Sequence, residues 1–272
     1  MPTLHIGSAP VEFIEHGRGE PVVLLHSSGS CAAQWRALIE RLGGHFRVLA
    51  PDLYGYGATG AWPARAPFTL EDEAQIVHAL LGRCSEPAHL VGHSYGGAVA
   101  LHVAREHGDQ VRSLALIEPV AFHLLRDGDD ADYAALAEIA HIAGVVERSL
   151  DRGDYECGFG RFVDYWSGAG AWAAIPAAKR SAIAAHLPKV ALDFRATIGH
   201  PTRPRDLRRM AMPALVIQGE RSPSPTRRIC ARLAGALPAV RVATVPGAGH
   251  MCPVTHRDET NKLLATFLAA PA

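Results

Sequence analysis

Several features that mark particular classes of protein are missing from this sequence of 272 residues. Its formal net charge is zero and it shows no basic stripe or acidic tail, which argues against a nucleic-acid partner. No apolar run reaches the roughly 18 residues that a membrane span needs. The first residues lack a basic stretch followed by an apolar core, so we expect no signal peptide.

Cysteine is also sparse, and its arrangement is informative. The five cysteines are scattered and none belongs to a C-x-x-C motif. An odd number of scattered cysteines is typical of free thiols in a reducing compartment, so the expected location is the cytoplasm. The sequence contains no H-E-x-x-H motif and no paired Cys/His cluster, and it therefore predicts no metal site.

One motif resembles a nucleotide-binding loop. Residues 55–60 read G-x-G-x-x-G after an expected strand, and dinucleotide binding requires a helix to begin at this point. Residues 61–67 contain two prolines, Pro63 and Pro67, so no helix is expected to begin there. The sequence therefore predicts no nucleotide and, with no metal motif, no cofactor.

Apolar runs that are typical of buried strands alternate with helical patterns in two parts of the chain. Such alternation predicts a mostly parallel β-sheet flanked by helices, in the α/β class. From about residue 120 to 205 the rhythm changes to helical patterns with many aromatic residues and no convincing strand. We interpret residues 120–205 as an inserted helical lid on a core formed by 1–119 and 206–272. The helices of the lid are expected near 131–150, 157–166 and 176–197.

The stretch Gly92-His93-Ser94-Tyr95-Gly96 matches G-x-S-x-G between an apolar run and a helical pattern. This strand–turn–helix context is typical of the nucleophile elbow, in which a strained turn presents a serine hydroxyl. Glycine suits the two outer positions because the strand and the helix approach each other closely there. The sequence therefore predicts Ser94 as a nucleophile.

A serine nucleophile needs a base and donors for the oxyanion that its attack creates. His250 is the best candidate for the base, because it follows the last expected strand on a glycine-rich loop. One expected donor is the backbone N–H of Tyr95, which follows the nucleophile at a helix N-terminus. The other is expected from the loop after the strand at 21–26, with the N–H of Ser28 favoured over that of Ser27.

Together these motifs resemble the α/β-hydrolase superfamily. The resemblance rests on H-x-x-G at 26–29, P-D-L-x-G-x-G at 51–57, G-x-S-x-G at 92–96 and G-x-G-H at 247–250, and it covers nearly the whole chain outside residues 120–205. It implies a catalytic triad of serine, histidine and an acidic residue.

The position of the acid departs from the usual pattern of the superfamily. Many members carry an aspartate where this chain has Ser222, after the strand at 214–218. Some members place the acid instead after the strand that follows the elbow helix, where this chain has Glu118. We predict Glu118 as the acid, with Glu220 and the absence of a functional acid as alternatives.

These residues predict a cofactor-free serine hydrolase that acts on a small, apolar carboxylic ester. The pocket is expected to include His26, Phe122, Phe162 and Trp166. Cleavage of C–C, lactone, thioester or amide bonds, or perhydrolysis, remains open for the same triad. A small-ligand receptor or a purely structural protein are the alternatives without catalysis. Dehalogenase and epoxide-hydrolase activities are disfavoured, because such members of the superfamily carry aspartate at the position of Ser94.

Overall fold

The computed structural model describes residues 2–7, 9–63 and 67–270. Within them, eight strands form one sheet in the order β1-β2-β4-β3-β5-β6-β7-β8. β1 and β2 pair antiparallel at one edge, and β2 also runs antiparallel to β4, whereas the other neighbours are parallel. The predicted α/β class with a mostly parallel sheet is confirmed. The strands are β1 (Thr3–Ile6), β2 (Ala9–His16), β3 (Glu20–Leu25), β4 (Phe46–Pro51), β5 (Ala88–His93), β6 (Val111–Ile117), β7 (Ala214–Gly219) and β8 (Val240–Val245).

Helices cover both faces of the sheet because its central strands are apolar on both sides. All six residues of β5 are buried, as are most residues of β3, β6 and β7. Buried parallel strands of this kind need a helical layer on each face. Helices α2 (Leu70–Leu81), α3 (Tyr95–Glu106) and α9 (Ser224–Ala236) supply core residues on one face. On the other face, α1 (Arg36–Leu42) and α11 (Arg257–Leu268) do so, and the short α10 (Cys252–Thr255) precedes α11.

Residues 120–205 connect β6 to β7 and contain helices but no strand. We call these residues the helical segment. Its division from a core of 1–119 and 206–272 stays a prediction. The helices are α4 (Asp130–Asp151), α5 (Tyr155–Ser167), α6 (Ala171–Ala174), α7 (Ala177–Ala184) and α8 (Leu187–Gly199), with a 3-10 turn at Phe122–Leu125 before them and another that begins at Pro204.

The boundaries of some helices differ from those expected. The single helix expected at 176–197 is two, because Pro188 lies in the first turn of α8 and cannot supply the N–H that a continuous helix would need. The expected closing helix from about 253 to 269 is likewise divided between α10 and α11. No helix was expected to begin in residues 61–67, and none begins at 61–63 or at 67. The remaining part of this prediction, at 64–66, lies outside the described residues.

Across the three described ranges, no helix combines the length and the hydropathy that crossing a membrane would require.

Candidate active site

Ser94 lies at the turn between β5 and α3 in a backbone conformation that favours glycine. Its φ is 55° and its ψ is −115°. The flanking glycines make this turn possible: a Cβ on Gly92 would lie 2.2 Å from the carbonyl oxygen of Gly96, and one on Gly96 would lie 2.4 Å from that of Leu25. Real Cβ atoms do not approach a backbone oxygen so closely, so strand and helix can meet here only at glycine.

His250 lies on the loop between β8 and α10 and reaches Ser94. Its Nε2 is 3.0 Å from the Oγ of Ser94, within hydrogen-bond distance, and both side chains are buried. The indole of Trp166, from α5, packs against the imidazole with 4.1 Å between ring centroids. In this position His250 can accept the proton of the Ser94 hydroxyl.

Glu118 completes a line of three side chains. It follows β6 directly, and its φ of 48° makes it the second non-glycine residue with positive φ among the described residues. Its Oε2 is 3.2 Å from the Nδ1 of His250, which can donate a hydrogen bond to it. Burial alone would raise the pKa of Glu118. Hydrogen bonds to the carboxylate and the attraction of His250 outweigh burial and lower the pKa below its usual value.

Ser222, on the loop after β7, occupies the position at which many members of the superfamily have an aspartate. Its side chain contacts Glu118, which follows the neighbouring strand β6. Its hydroxyl donates to Oε1 of Glu118 at 2.5 Å, and the N–H of Gly219 donates to the same oxygen. Glu220, the alternative acid, is exposed and accepts a hydrogen bond from the N–H of Gly247 at 2.8 Å. The structure therefore places Glu118 beside His250, whereas Glu220 forms a hydrogen bond to the loop that carries His250.

The expected oxyanion donors differ in their availability. The N–H groups of Tyr95 and Ser28 make no hydrogen bond to another described residue. The N–H and the hydroxyl of Ser27 both donate to Oε1 of Gln34, at 3.3 and 2.9 Å. Since Ser27 is engaged and Ser28 borders the same cavity as Ser94, the geometry favours Ser28 over Ser27, as the sequence does.

A small, largely apolar cavity lies beside Ser94, with an internal volume of about 10 Å³, close to that of a single water molecule. Phe122, Phe162 and Trp166 line it, as expected from the sequence. His26 does not border it. The ring of His26 is buried beneath the loop, where Nδ1 donates to the carbonyl of Ser27 and Nε2 accepts from a backbone N–H. Burial lowers the pKa of His26 to about 4, so its ring is neutral and shapes the loop.

A chain of hydrogen bonds that the sequence does not predict joins the loop after β3 to the loop that carries His250. The Nε2 of His93 lies 3.1 Å from the carbonyl oxygen of His250, so it must carry the hydrogen. The Nδ1 of His93 therefore accepts a hydrogen bond from the side-chain NH₂ of Gln34. The side-chain oxygen of Gln34 in turn accepts a hydrogen bond from the hydroxyl of Ser27. Burial lowers the pKa of His93 to about 3 and keeps it neutral. Only the place of His93 inside the G-x-S-x-G motif could have suggested such a role.

A second unpredicted group is a buried cluster of charges. Lys189 of α8 donates to Glu73 of α2 at 2.8 Å and also to Asp193, one helical turn along α8. Burial opposes the charged form of Lys189, but the two carboxylates raise its pKa above the usual value. The sequence signal for this cluster is a lysine and an aspartate four residues apart, on a helix with many apolar residues. Their partner Glu73 is distant in sequence, so the sequence does not indicate the contact.

Within the described residues, no group of three or more His, Cys, Asp or Glu side chains is arranged to hold a metal ion.

Comparison with known proteins places this geometry in context. Residues 22–263 match the family model described as the alpha/beta hydrolase family. A haloalkane dehalogenase of Agrobacterium fabrum is 37% identical over 123 residues, which is 45% of this chain and 38% of that protein. A pimeloyl-[acyl-carrier protein] methyl ester esterase of Vibrio vulnificus is 38% identical over 110 residues, which is 40% of this chain and 41% of the esterase.

In both alignments the chain spans only about two fifths of the length of the curated relative. A solved structure of a hydrolase from Pseudomonas aeruginosa PA01 shares the fold over almost all of both chains, 99% of this one and 98% of the other, with a TM-score of 0.77 and 24% identity. The family model covers most of the chain, from β3 to α11. The chain therefore belongs to the alpha/beta hydrolase family.

Proposed function

We propose that this chain is a serine hydrolase that cleaves a carboxylic ester through an acyl-enzyme on Ser94. One observation carries the proposal. The two ring nitrogens of His250 connect the Oγ of Ser94, at 3.0 Å, to the carboxylate of Glu118, at 3.2 Å. This is the arrangement in which a base activates a hydroxyl while an acid orients and stabilises the base.

In the proposed reaction, the Nε2 of His250 takes the proton of Ser94 as the Oγ attacks the ester carbonyl. The N–H groups of Tyr95 and Ser28 donate to the oxyanion of the tetrahedral intermediate. Glu118 stabilises the imidazolium that forms. His250 then gives its proton to the departing alcohol, and the acyl group stays on Ser94. Water, deprotonated by His250, attacks the acyl carbonyl and releases the acid.

The proposed substrate is small and apolar on the side that enters the cavity, because aromatic side chains form much of the wall. The methyl ester esterase among the relatives supports an ester as the substrate. Dehalogenation fits poorly with Ser94. Displacement of a halide by its hydroxyl would leave an alkyl ether, which has no carbonyl carbon for water to attack, so the enzyme could not turn over.

The test combines a covalent probe with a panel of substrates. We expect a fluorophosphonate to label Ser94 and p-nitrophenyl esters of short acids to be hydrolysed, with both activities lost in Ser94→Ala. The same assay with vinylogous diketones, lactones, thioesters and amides separates ester cleavage from the other bonds. If the folded protein leaves the probe unreacted at Ser94, the hydrolase proposal is refuted and a ligand-binding role gains support.

We also propose a cytoplasmic location, which rests on the pattern of cysteines. All five cysteines are free in the structure, two of them buried, two half-buried and one exposed. Measuring the location of a tagged protein by cell fractionation tests this proposal, and recovery outside the cytoplasm would contradict it.

A further inference from the structure

Among the described residues, the wall of the cavity beside Ser94 contains one ionisable side chain besides that of Tyr95. This is Asp193 of α8, which is buried and borders the same cavity as Ser28 and Ser94. Its charge state decides which substituents the cavity can hold, because a charge in a dry pocket acts strongly on any charge placed beside it.

Burial raises the pKa of Asp193 above its usual value, but the hydrogen bonds around the carboxyl group favour its ionised form. Its Oδ2 accepts from the hydroxyls of Ser28 and Tyr56, each at 2.6 Å, and its Oδ1 accepts from the ammonium of Lys189. All three partners donate, so no proton is needed on the carboxyl group. Because the hydrogen of Ser28 Oγ is used in this way, that oxygen can only accept a hydrogen bond from a substrate.

Lys189 does not neutralise Asp193 completely, because it is shared with a second carboxylate. Its ammonium also donates to Glu73, which further accepts from the N–H of Tyr54 at 2.8 Å and from the hydroxyl of Tyr95 at 2.9 Å. Glu73 is thus also surrounded by donors, which favour its ionised form although burial raises its pKa. With both carboxylates ionised, the single ammonium leaves the buried cluster with one negative charge in excess.

The ammonium is also enclosed on its remaining sides. It lies over the rings of Tyr56, Phe68 and Tyr95, at 4.9, 4.7 and 4.5 Å from their centroids. Lys189 is not among the described residues that line the cavity, and neither is any arginine. An anionic substituent in the cavity would therefore meet Asp193 without a cation to balance it.

The acyl group stays bonded to Ser94 after the alcohol has left, and we assign the cavity beside Ser94 to this group. We propose that Asp193 makes the site selective for esters of uncharged acids and against acyl chains that end in a carboxylate. This inference rests on the proposed function, because it assigns the substrate class of the same site.

The test compares two methyl esters of nearly equal shape, methyl 4-methylpentanoate and monomethyl succinate, by the release of methanol at neutral pH. The first ends in an isopropyl group and the second in a carboxylate. We expect the wild-type kcat/KM to favour the neutral ester by roughly 100-fold, the repulsion of two like charges about 6 Å apart at an effective dielectric constant near 20. In Asp193→Asn we expect this ratio to fall to about 10 or less.

Asp151→Asn is the matched control, since it removes the same charge at the exposed end of α4, and it should keep the wild-type ratio. Circular dichroism establishes that each variant is folded. A wild-type ratio below about threefold, or an unchanged ratio in folded Asp193→Asn, overturns the inference. If Asp193→Asn does not fold, the same ratio measured in a second variant, Asp193→Ser, decides.

The two proposals fail in different ways. If neither ester is hydrolysed and a fluorophosphonate does not label Ser94, the proposed function falls and this inference falls with it. If the probe labels Ser94 and both esters are cleaved at equal rates, only the inference about Asp193 is refuted.

Discussion

Replacing Glu118 by glutamine is the sharpest test of the site, because it removes one charge and little volume. The carboxylate is buried, and its Oε2 lies 3.2 Å from the Nδ1 of His250. For charges roughly 4 Å apart at an effective dielectric constant of about 20, the lost attraction for the imidazolium is about 4 kcal/mol. At about 1.4 kcal/mol for each factor of ten, we expect kcat to fall by about 10³-fold.

The amide that replaces the carboxylate adds to this effect. A glutamine at 118 can present its NH₂ group to Nδ1, which favours the ring tautomer that cannot accept the proton of Ser94 at Nε2. Because the change concerns the chemical step and not the cavity, KM for a short p-nitrophenyl ester should stay nearly constant. Steady-state rates at pH 8, corrected by titrating the active serine with a fluorophosphonate, measure both constants.

Glu220→Gln serves as the control, since it removes an equal charge from the exposed residue that holds Gly247. We expect its kcat to stay within about threefold of the wild type, because a surface contact of this kind contributes roughly 1 kcal/mol or less. Thermal unfolding followed by circular dichroism checks that both variants are folded at the assay temperature. Equally mild losses in the two variants would refute the assignment of Glu118, and a larger loss in Glu220→Gln would reverse it.

Three further predictions follow from the same geometry. Ser222→Ala removes a hydrogen bond that lowers the pKa of Glu118, so the acidic limb of the kcat profile should move to higher pH, and a pH series from 4 to 8 detects the shift. Gly92→Ala places a Cβ against a backbone oxygen and should lower the free energy of unfolding in urea by at least about 2 kcal/mol; an unchanged midpoint would contradict the close approach. His93→Phe breaks the hydrogen bond to the His250 carbonyl, and kcat should fall about tenfold at constant KM, whereas Gln34→Ala, one bond further away, should have a smaller effect.

The sequence predicts those parts of the site that depend on short patterns and on sheet topology. Ser94 belongs to a five-residue motif, and Glu118 and His250 each follow a strand of a parallel sheet, whose carboxyl ends meet at one edge. Topology alone therefore indicates that these residues approach one another, which the structure shows at 3.0 and 3.2 Å. Their catalytic roles stay predictions.

Contacts between segments far apart in sequence could not be predicted in this way. Lys189 meets Glu73 across 116 positions, and Ser28 meets Asp193 across 165. Nothing in either local sequence specifies the partner, because the pairing depends on how the helical segment packs on α2 and on the loop after β3. The division between α7 and α8 was missed for a different reason: apolar spacing continues through it, and Pro188 alone marks the break.

The position of Glu118 directly after β6 has a consequence for how members of such a family can diversify. Ser94 and Glu118 lie 24 positions apart, at the two ends of the segment that runs from the end of β5 through α3 and β6, and the helical segment begins only after both. A recombination event that exchanges residues 120–205 for another sequence thus leaves Ser94 and Glu118 untouched and brings in new walls for the cavity. The loop after β7 contributes the hydroxyl of Ser222, which donates to Glu118. Ser94, Glu118 and His250 all lie outside the exchanged range, so these three side chains can be inherited together while the walls of the cavity change.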